Sequence, residues 1–553
     1  MKTTTPRFRT RPLAAALIAG IGLGATAAGS SAATQIAVTT PDDAGSAATC
    51  TLRQAIAAMN ASGDTADSAC VASTISGVDT IVFDTTAFPP HGANTITLAD
   101  TADNQLSVTD ANLLIDASAN GNVTVQRPAA AENAFGIFYA ATPYGTLTID
   151  SLTIANGELI AAQPSGAALG AGIASVYTTL TLRNCVVTGN AISTSSYAAG
   201  GGVFVYAADL TLANSTISNN TVSGNSGASG MGGGVFVRQK IGTTIGGNAT
   251  ITDSHIIDNI AHGNGGGLHV GGVLAMTGSR ISGNSADKDG GGIKFYGVST
   301  LTDSTISGNT AVGRGGGIVA ASGYYGVPAA LLTLDASTLS GNHATGSNGR
   351  GGGIYTRIGN VSFINSTLHG NSAPGAFGYG GALFVAKNDS PITLRQTTVA
   401  SNTAGNRGGG LMIATSGAGD VTFNGTLFAN PNAPTSGGGN IAVSIGAITI
   451  GGVDNLEFSG TAGDVNATYA NAPITGDPLL GPLADNGGPT QTALPDAGSA
   501  AINAATCADA PATDQRGLIR PDPASRGLAT PCDIGAVEAD SVSDDLFADG
   551  FDS

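Results

Sequence analysis

The sequence predicts an all-β chain wound as a right-handed parallel β-helix, with three short strands in each of ten or more coils and a short N-terminal capping helix. The first observation is a repeat. A run of alternating apolar residues, an N-S-T-I-S-G-N-like stretch, a polar loop and a glycine triplet recur from about residue 180 to 443. Leu301 to Asn309, then Thr310 to Arg314, then Gly315 to Val319 is one clean copy. The closing asparagine falls at Asn190, Asn220, Asn259, Asn284, Asn309, Asn342, Asn371, Asn402 and Asn430. A fixed unit carrying variable insertions at one point is the signature of a solenoid.

The second observation is parity. Leu210 and Leu212 share one face of a strand, whereas Ile217 falls on the other, so the chain must bend between them to keep all three inside. Asn214 stands at the bend, where a left-handed residue is needed and Asn tolerates it. Asn184, Asp253, Asp303, Asn365 and Asn424 are expected to do the same in other copies. The third observation is a further short apolar run after each triplet, as at Val235 to Val237.

The elements follow in order. Residues 1–33 read as a signal peptide: Lys2, Arg7, Arg9 and Arg11 precede a small apolar run, and Ser31-Ala32-Ala33 offers a cleavage site, which predicts a secreted protein on the extracellular side or the outer-membrane surface. Residues 34–146 are expected to form the N-terminal cap and irregular early coils. There Thr51 to Gln54 has the pattern of a capping box, and Leu52, Ala55, Ile56 and Met59 make one helical stripe. Strand-like runs follow at Thr80 to Asp84, Asn94 to Leu98, Asn112 to Asp116 and Val123 to Gln126. Residues 147–476 hold the repeats, with a weaker upstream copy ending at Asn156. Residues 477–539, rich in Gly and Pro, leave the pattern and are expected to close the far end. Residues 540–553 read as a flexible acidic tail.

Composition narrows the function. The net charge is −17, and loss of the four leader cations would take it to −21, which argues against nucleic-acid or anionic-lipid partners. Beyond the leader, no run is long and apolar enough for a transmembrane helix. The five cysteines suit an oxidising compartment. Proximity pairs Cys50 with Cys70 and Cys507 with Cys532, although sequence alone leaves connectivity open, and Cys185 reads as a small buried hydrophobe.

Cys50-Thr51-Leu52-Arg53-Gln54-Ala55-Ile56 resembles the C-S-L-R-E-A-I motif that names a domain of bacterial secreted proteins, with Thr for Ser and Gln for Glu. The repeats resemble those of the pectate-lyase-like superfamily and, in their cadence, polymorphic outer-membrane-protein repeats. Residues 477–538 resemble the choice-of-anchor Q region through D-N-G-G-P-T-Q-T, G-S-A-A-I-N, T-D-Q-R-G and C-D-I-G-A-V-E. These resemblances imply an exported, surface-associated β-helix. They supply no reaction.

A site would be sought on the strand after the glycines, the face on which pectate-lyase-like enzymes act. Its outward-parity positions are Phe204, Phe236, His269, Lys294, Val319, Tyr355, Phe384 and Met412, expected to stack in a column. Glycoside hydrolysis needs two carboxyl groups, and this column has none. A calcium-dependent lyase needs acidic oxygens and a cationic base; Asp287, Asp289, Lys294 and Arg314 are the thin local candidates. Lys294 and His269 read more readily as solvated surface groups. Asp289, Arg314, Arg350 and Arg407 each precede a glycine triplet and read as a charge ladder of small energetic value. His255, His262 and His269 fall on different segments, so neither a metal site nor any other cofactor is expected. The aromatic members could stack on extracellular glycans, but folding of the loops over them is favoured because large exposed apolar patches are uncommon. Three readings therefore stand: a non-enzymatic adhesin-like or matrix-associated protein, a polysaccharide lyase or glycosidase, and a glycan-binding rod. Oligomeric state is not legible.

Overall fold

In the computed structural model, residues 33–539 are described except 47, 62–68, 76, 103, 161–166, 225–229, 242, 244, 322–330, 358–359, 431–436, 459–462, 508 and 522–530. The leader lies outside them apart from Ala33, which already belongs to a strand, and so does the acidic tail.

Parallel pairing of equivalent segments in successive repeats builds four stacked sheets of 16, 14, 9 and 12 strands, a β-solenoid-like architecture. One repeat shows the path. Leu210–Ala213 lies in the first sheet, Thr216–Ser218 in the second, Thr221–Gly224 in the third and Val235–Arg238 in the fourth. Central repeats thus carry four strands where three were expected. The extra one shrinks to two residues in copies such as Ile260–Ala261, too short to announce itself by alternation. It packs its Val222 or Ala261 into a small separate cluster outside the main core.

The bend works as the parity requires. Leu210, Leu212 and Ile217 are all buried, and Asn214 between them has φ 47°. Asn184, Asp253, Asp303 and Asn365 also have positive φ. Asn424 does not. It ends the strand Val421–Asn424, and Gly425, with φ 58°, makes the turn, because this copy is one residue shorter between its turn and its ladder residue Asn430.

The nine repeat asparagines are fully buried and bonded into one ladder. Asn284 shows the unit: its Nδ2 and its backbone N both donate to Asn309 Oδ1, at 3.0 Å each, and its Nδ2 also donates to Ile256 O at 2.8 Å. Each buried amide is therefore satisfied by its neighbours, the condition for a polar stack to survive in a core. The ladder starts at Asn190, whose Oδ1 accepts from Gly157 N at 2.9 Å, and runs on to Asn440. Asn156 is not part of it. With φ 61° it takes the preceding corner position.

The helix Leu52–Asn60 has its capping box: Gln54 N donates to Thr51 Oγ1 (3.1 Å), and Thr51 N donates to Gln54 Oε1 (3.0 Å). Its stripe of Leu52, Ala55, Ile56 and Met59 is buried in the main core. Arg53 grips Asp43 at 2.9 and 3.0 Å, and Cys50 is bonded to Cys70.

Residues 477–539 run back along the outer face of the second sheet instead of lying only over the last repeat. Thr490 Oγ1 donates to Ala336 O (3.0 Å), Gln515 Nε2 to Thr338 Oγ1 (2.8 Å), Thr367 Oγ1 to Gln515 Oε1 (2.6 Å) and Ala536 N to Thr398 Oγ1 (2.9 Å). The outward residues Thr338, Thr367, Thr398 and Leu427 are buried by it. The segment is tied internally by the Cys507–Cys532 disulfide and by a buried Arg520–Glu538 ion pair at 2.8 Å. Among the described residues, no helix is long and apolar enough to cross a membrane.

Candidate functional site

The column on the fourth sheet forms in register: Phe204 pairs with Phe236, Phe236 with His269, His269 with Lys294, and so on through Tyr355, Phe384 and Met412. Phe204 and Phe236 stack at 5.5 Å with ring planes 3° apart; Phe236 and His269 at 4.8 Å; Tyr355 and Phe384 at 5.4 Å.

This column does not face solvent. Every member from Phe204 to Met412 is buried. The cover is the chain entering each strand. Gly232, with φ 64°, turns the backbone back over its own strand so closely that a Cβ there would lie 2.9 Å from Phe236 Cβ and 2.4 Å from Val235 O. Glycine is required at that place because a side chain would meet both strain and collision. The third glycine, Gly234, lies against the asparagine ladder; a Cβ there would be 2.9 Å from Asn259 Cγ. The triplet thus seals the column on one side and admits the ladder on the other.

Burial overturns the expectation that Lys294 and His269 are solvated. Lys294 is 8 % exposed and His269 5 %. The Lys294 ammonium donates to Asn264 Oδ1 at 2.9 Å and to Asp289 Oδ2 at 3.4 Å; burial lowers its pKa, while Asp289 opposes that shift. His269 is pushed down to about 3 by burial, with the charges of Lys294 and Arg238 acting in the same direction, and it stays neutral with its Nδ1 lacking a partner. Asp289 also accepts from Arg314 N at 3.1 Å. The acidic member of this group therefore neutralises a buried lysine and holds a turn.

The residues before the triplets do more than line an edge. Arg314, Arg350, Tyr379 and Arg407 form a bridged ladder. Arg314 lies 5.0 Å over the Tyr355 ring and Arg350 5.4 Å over Phe384, so each guanidinium roofs an aromatic of the next repeat. Asn264 and Tyr379 were missed in the sequence, although their positions, before the Gly265–Gly267 triplet and before Gly380-Gly381-Ala382, were a usable signal. His262 pairs with Asp287 at 2.9 Å on the surface, apart from His255 and His269. Among the described residues, no group of three or more His, Cys, Asp or Glu is placed to hold a metal ion. Cys185 is buried, its thiol pushed up to about 12 by burial.

Open surfaces among the described residues include the following two. A shallow groove on the uncovered part of the second sheet is lined by Thr216, His255, Asp258, Arg280, Ser307 and Ser340. It brings one carboxylate where hydrolysis of a glycoside needs two. At one corner, Tyr144 is 90 % and Tyr177 38 % exposed, with Tyr206 5.7 Å from Tyr177 and the Lys240 ammonium 5.7 Å from the Tyr177 ring. Comparisons of the chain with family models, with curated proteins and with solved structures return no match.

Proposed function

We propose that this chain is an exported, non-catalytic structural protein: a closed right-handed β-helix, capped at its N-terminal end by the helix Leu52–Asn60, that acts at or beyond the cell surface as an adhesin-like or matrix-associated rod. The observation that carries this reading is the sealed column. The face on which a carbohydrate-active β-helix would work is roofed by glycine turns and arginines, and its one ammonium, Lys294, is held by Asn264 and Asp289. Two disulfides in a chain of −17 charge suit an extracellular setting. The test is activity on pectin, alginate and related glycans, with and without calcium. No unsaturated uronides and no new reducing ends are expected; turnover that disappears in Lys294→Ala or Asp289→Ala overturns the reading in favour of a lyase.

A glycan-binding rod is the second reading, favoured by one observation: the exposed Tyr144 and Tyr177 on neighbouring repeats. Binding would sit at this corner and not on the column. Glycan-array binding lost in Tyr144→Ala with Tyr177→Ala supports it, and unchanged binding removes it.

A further inference from the structure

The inner stack changes chemistry in its last turn. Phe428 pairs with Glu457 and Ile450 with Tyr469, so a carboxyl and a phenol stand where the preceding repeat has core side chains. Ala442 pairs with Val465, which puts Asp464 next in line after the buried Ile441. Three sheets thus each deliver a polar group to the same end of the core. They meet there: Tyr469 Oη donates to Glu457 Oε1 at 3.0 Å, Ile441 N donates to Asp464 Oδ1 at 2.9 Å, and the Glu457 and Asp464 carboxyl groups lie close enough to act on each other. Below them the asparagine ladder ends at Asn440. Its Oδ1 accepts from Asn430, and its buried amide is among the groups that act on the Glu457 carboxyl.

We propose that Glu457, Asp464 and Tyr469 form a proton-closed plug at the C-terminal end of the solenoid core, and that loss of the shared proton opens the last turn. Two carboxyl groups that share a buried site do not both ionise readily; one keeps its proton. The groups that act on the pair are each other, Tyr469, the Asn440 amide and Ile441 N, and no cation is among them. Burial, followed by the charge of Glu457, pushes Asp464 up to about 8; burial raises Glu457 too. The sign follows. The closed form binds the proton more tightly than the opened one, so the plug's stabilisation is complete below the ordinary carboxyl range. It is lost progressively as pH rises to about 8, and it stays lost above that. Opening frees Ala467–Tyr469 from the end of its sheet, and Leu456–Phe458 together with the terminal strand Ile474–Thr475 from theirs.

Amide exchange followed by mass spectrometry tests this on the full chain. Peptides from 441–475 are compared at pH 5 and pH 8.5 after correction for the intrinsic exchange rate, with peptides from 249–311 as the internal control. The opening equilibrium of 441–475 is expected to rise about tenfold or more, with the control unchanged. Asp464→Asn keeps a hydrogen-bonding group but cannot ionise, and is expected to reduce the rise several-fold, leaving the part due to Glu457. Should it fail to fold, Glu457→Gln provides the same test. Equal protection at both pH values in the native chain, or an undiminished rise in the foldable variant, overturns the proposal.

Discussion

Two stacks run side by side along this molecule, and both are buried for different reasons. The asparagine ladder is polar and lies inside, where each amide is satisfied by the next repeat. The column from Phe204 to Met412 is largely aromatic and has outward parity, yet glycine turns and arginines close over it. Strand parity decides which face of a sheet a residue occupies. It does not decide whether that face is wet. The ladder is buried by the sheet itself, and the column by whatever the loop before the sheet does.

The comparison can be broken most sharply at Phe236. A buried ring in a stack should cost about 4 kcal/mol when cut to Ala. Chemical denaturation showing a loss below about 0.5 kcal/mol, the range of ordinary surface changes, would return the column to solvent. Asn309→Ala removes the acceptor shared by two Asn284 donors and should cost about 3 kcal/mol in the same assay. Little loss would mean the ladder is ornamental.

The column also has a pH signature. His269 stays neutral when folded down to about pH 3 but takes up a proton near pH 6.5 when unfolded, so its contribution falls as pH drops between those values. Compared with His269→Phe, the native chain should lose about 2 kcal/mol more on going from pH 7 to pH 5. Matching pH profiles for the two proteins would contradict burial of the imidazole. The smallest effect is expected at the bend, where Asn214→Val forces a β-branched residue to φ 47° and should cost about 1 kcal/mol. Unchanged thermal melting would show that the turn carries no strain.

Much of the architecture was legible. Period and parity together fixed the stacked repeats, the bend at Asn214 and the core at Leu210, Leu212 and Ile217, because both are local consequences of a pleated strand. The helix at Leu52–Asn60 was legible from its capping box. The third sheet was not, because strands of two residues have no alternation to read. Asn424 was assigned one residue too early because its repeat lost a residue between the turn and Asn430, which shifts any count made back from the ladder. The placement of residues 477–539 was hidden for another reason. Its docking surface is made of ordinary outward threonines, Thr338, Thr367 and Thr398, which read like the open Thr305 of an earlier repeat. Lys294 and His269 were misjudged from residue type alone. Their fate depended on Asp289, Asn264 and the turn at Gly290.

The claim on which the functional reading rests is that the column is sealed, and lysine acylation in the native protein measures it directly. Under brief treatment with an amine-acylating reagent, Lys387, whose side chain is 55 % exposed, should be modified quickly, while Lys294, whose side chain is 10 % exposed, should stay unmodified until the protein is unfolded. Acylation of Lys294 at the rate of Lys387 in the folded chain would contradict the account and reopen the column as a working face.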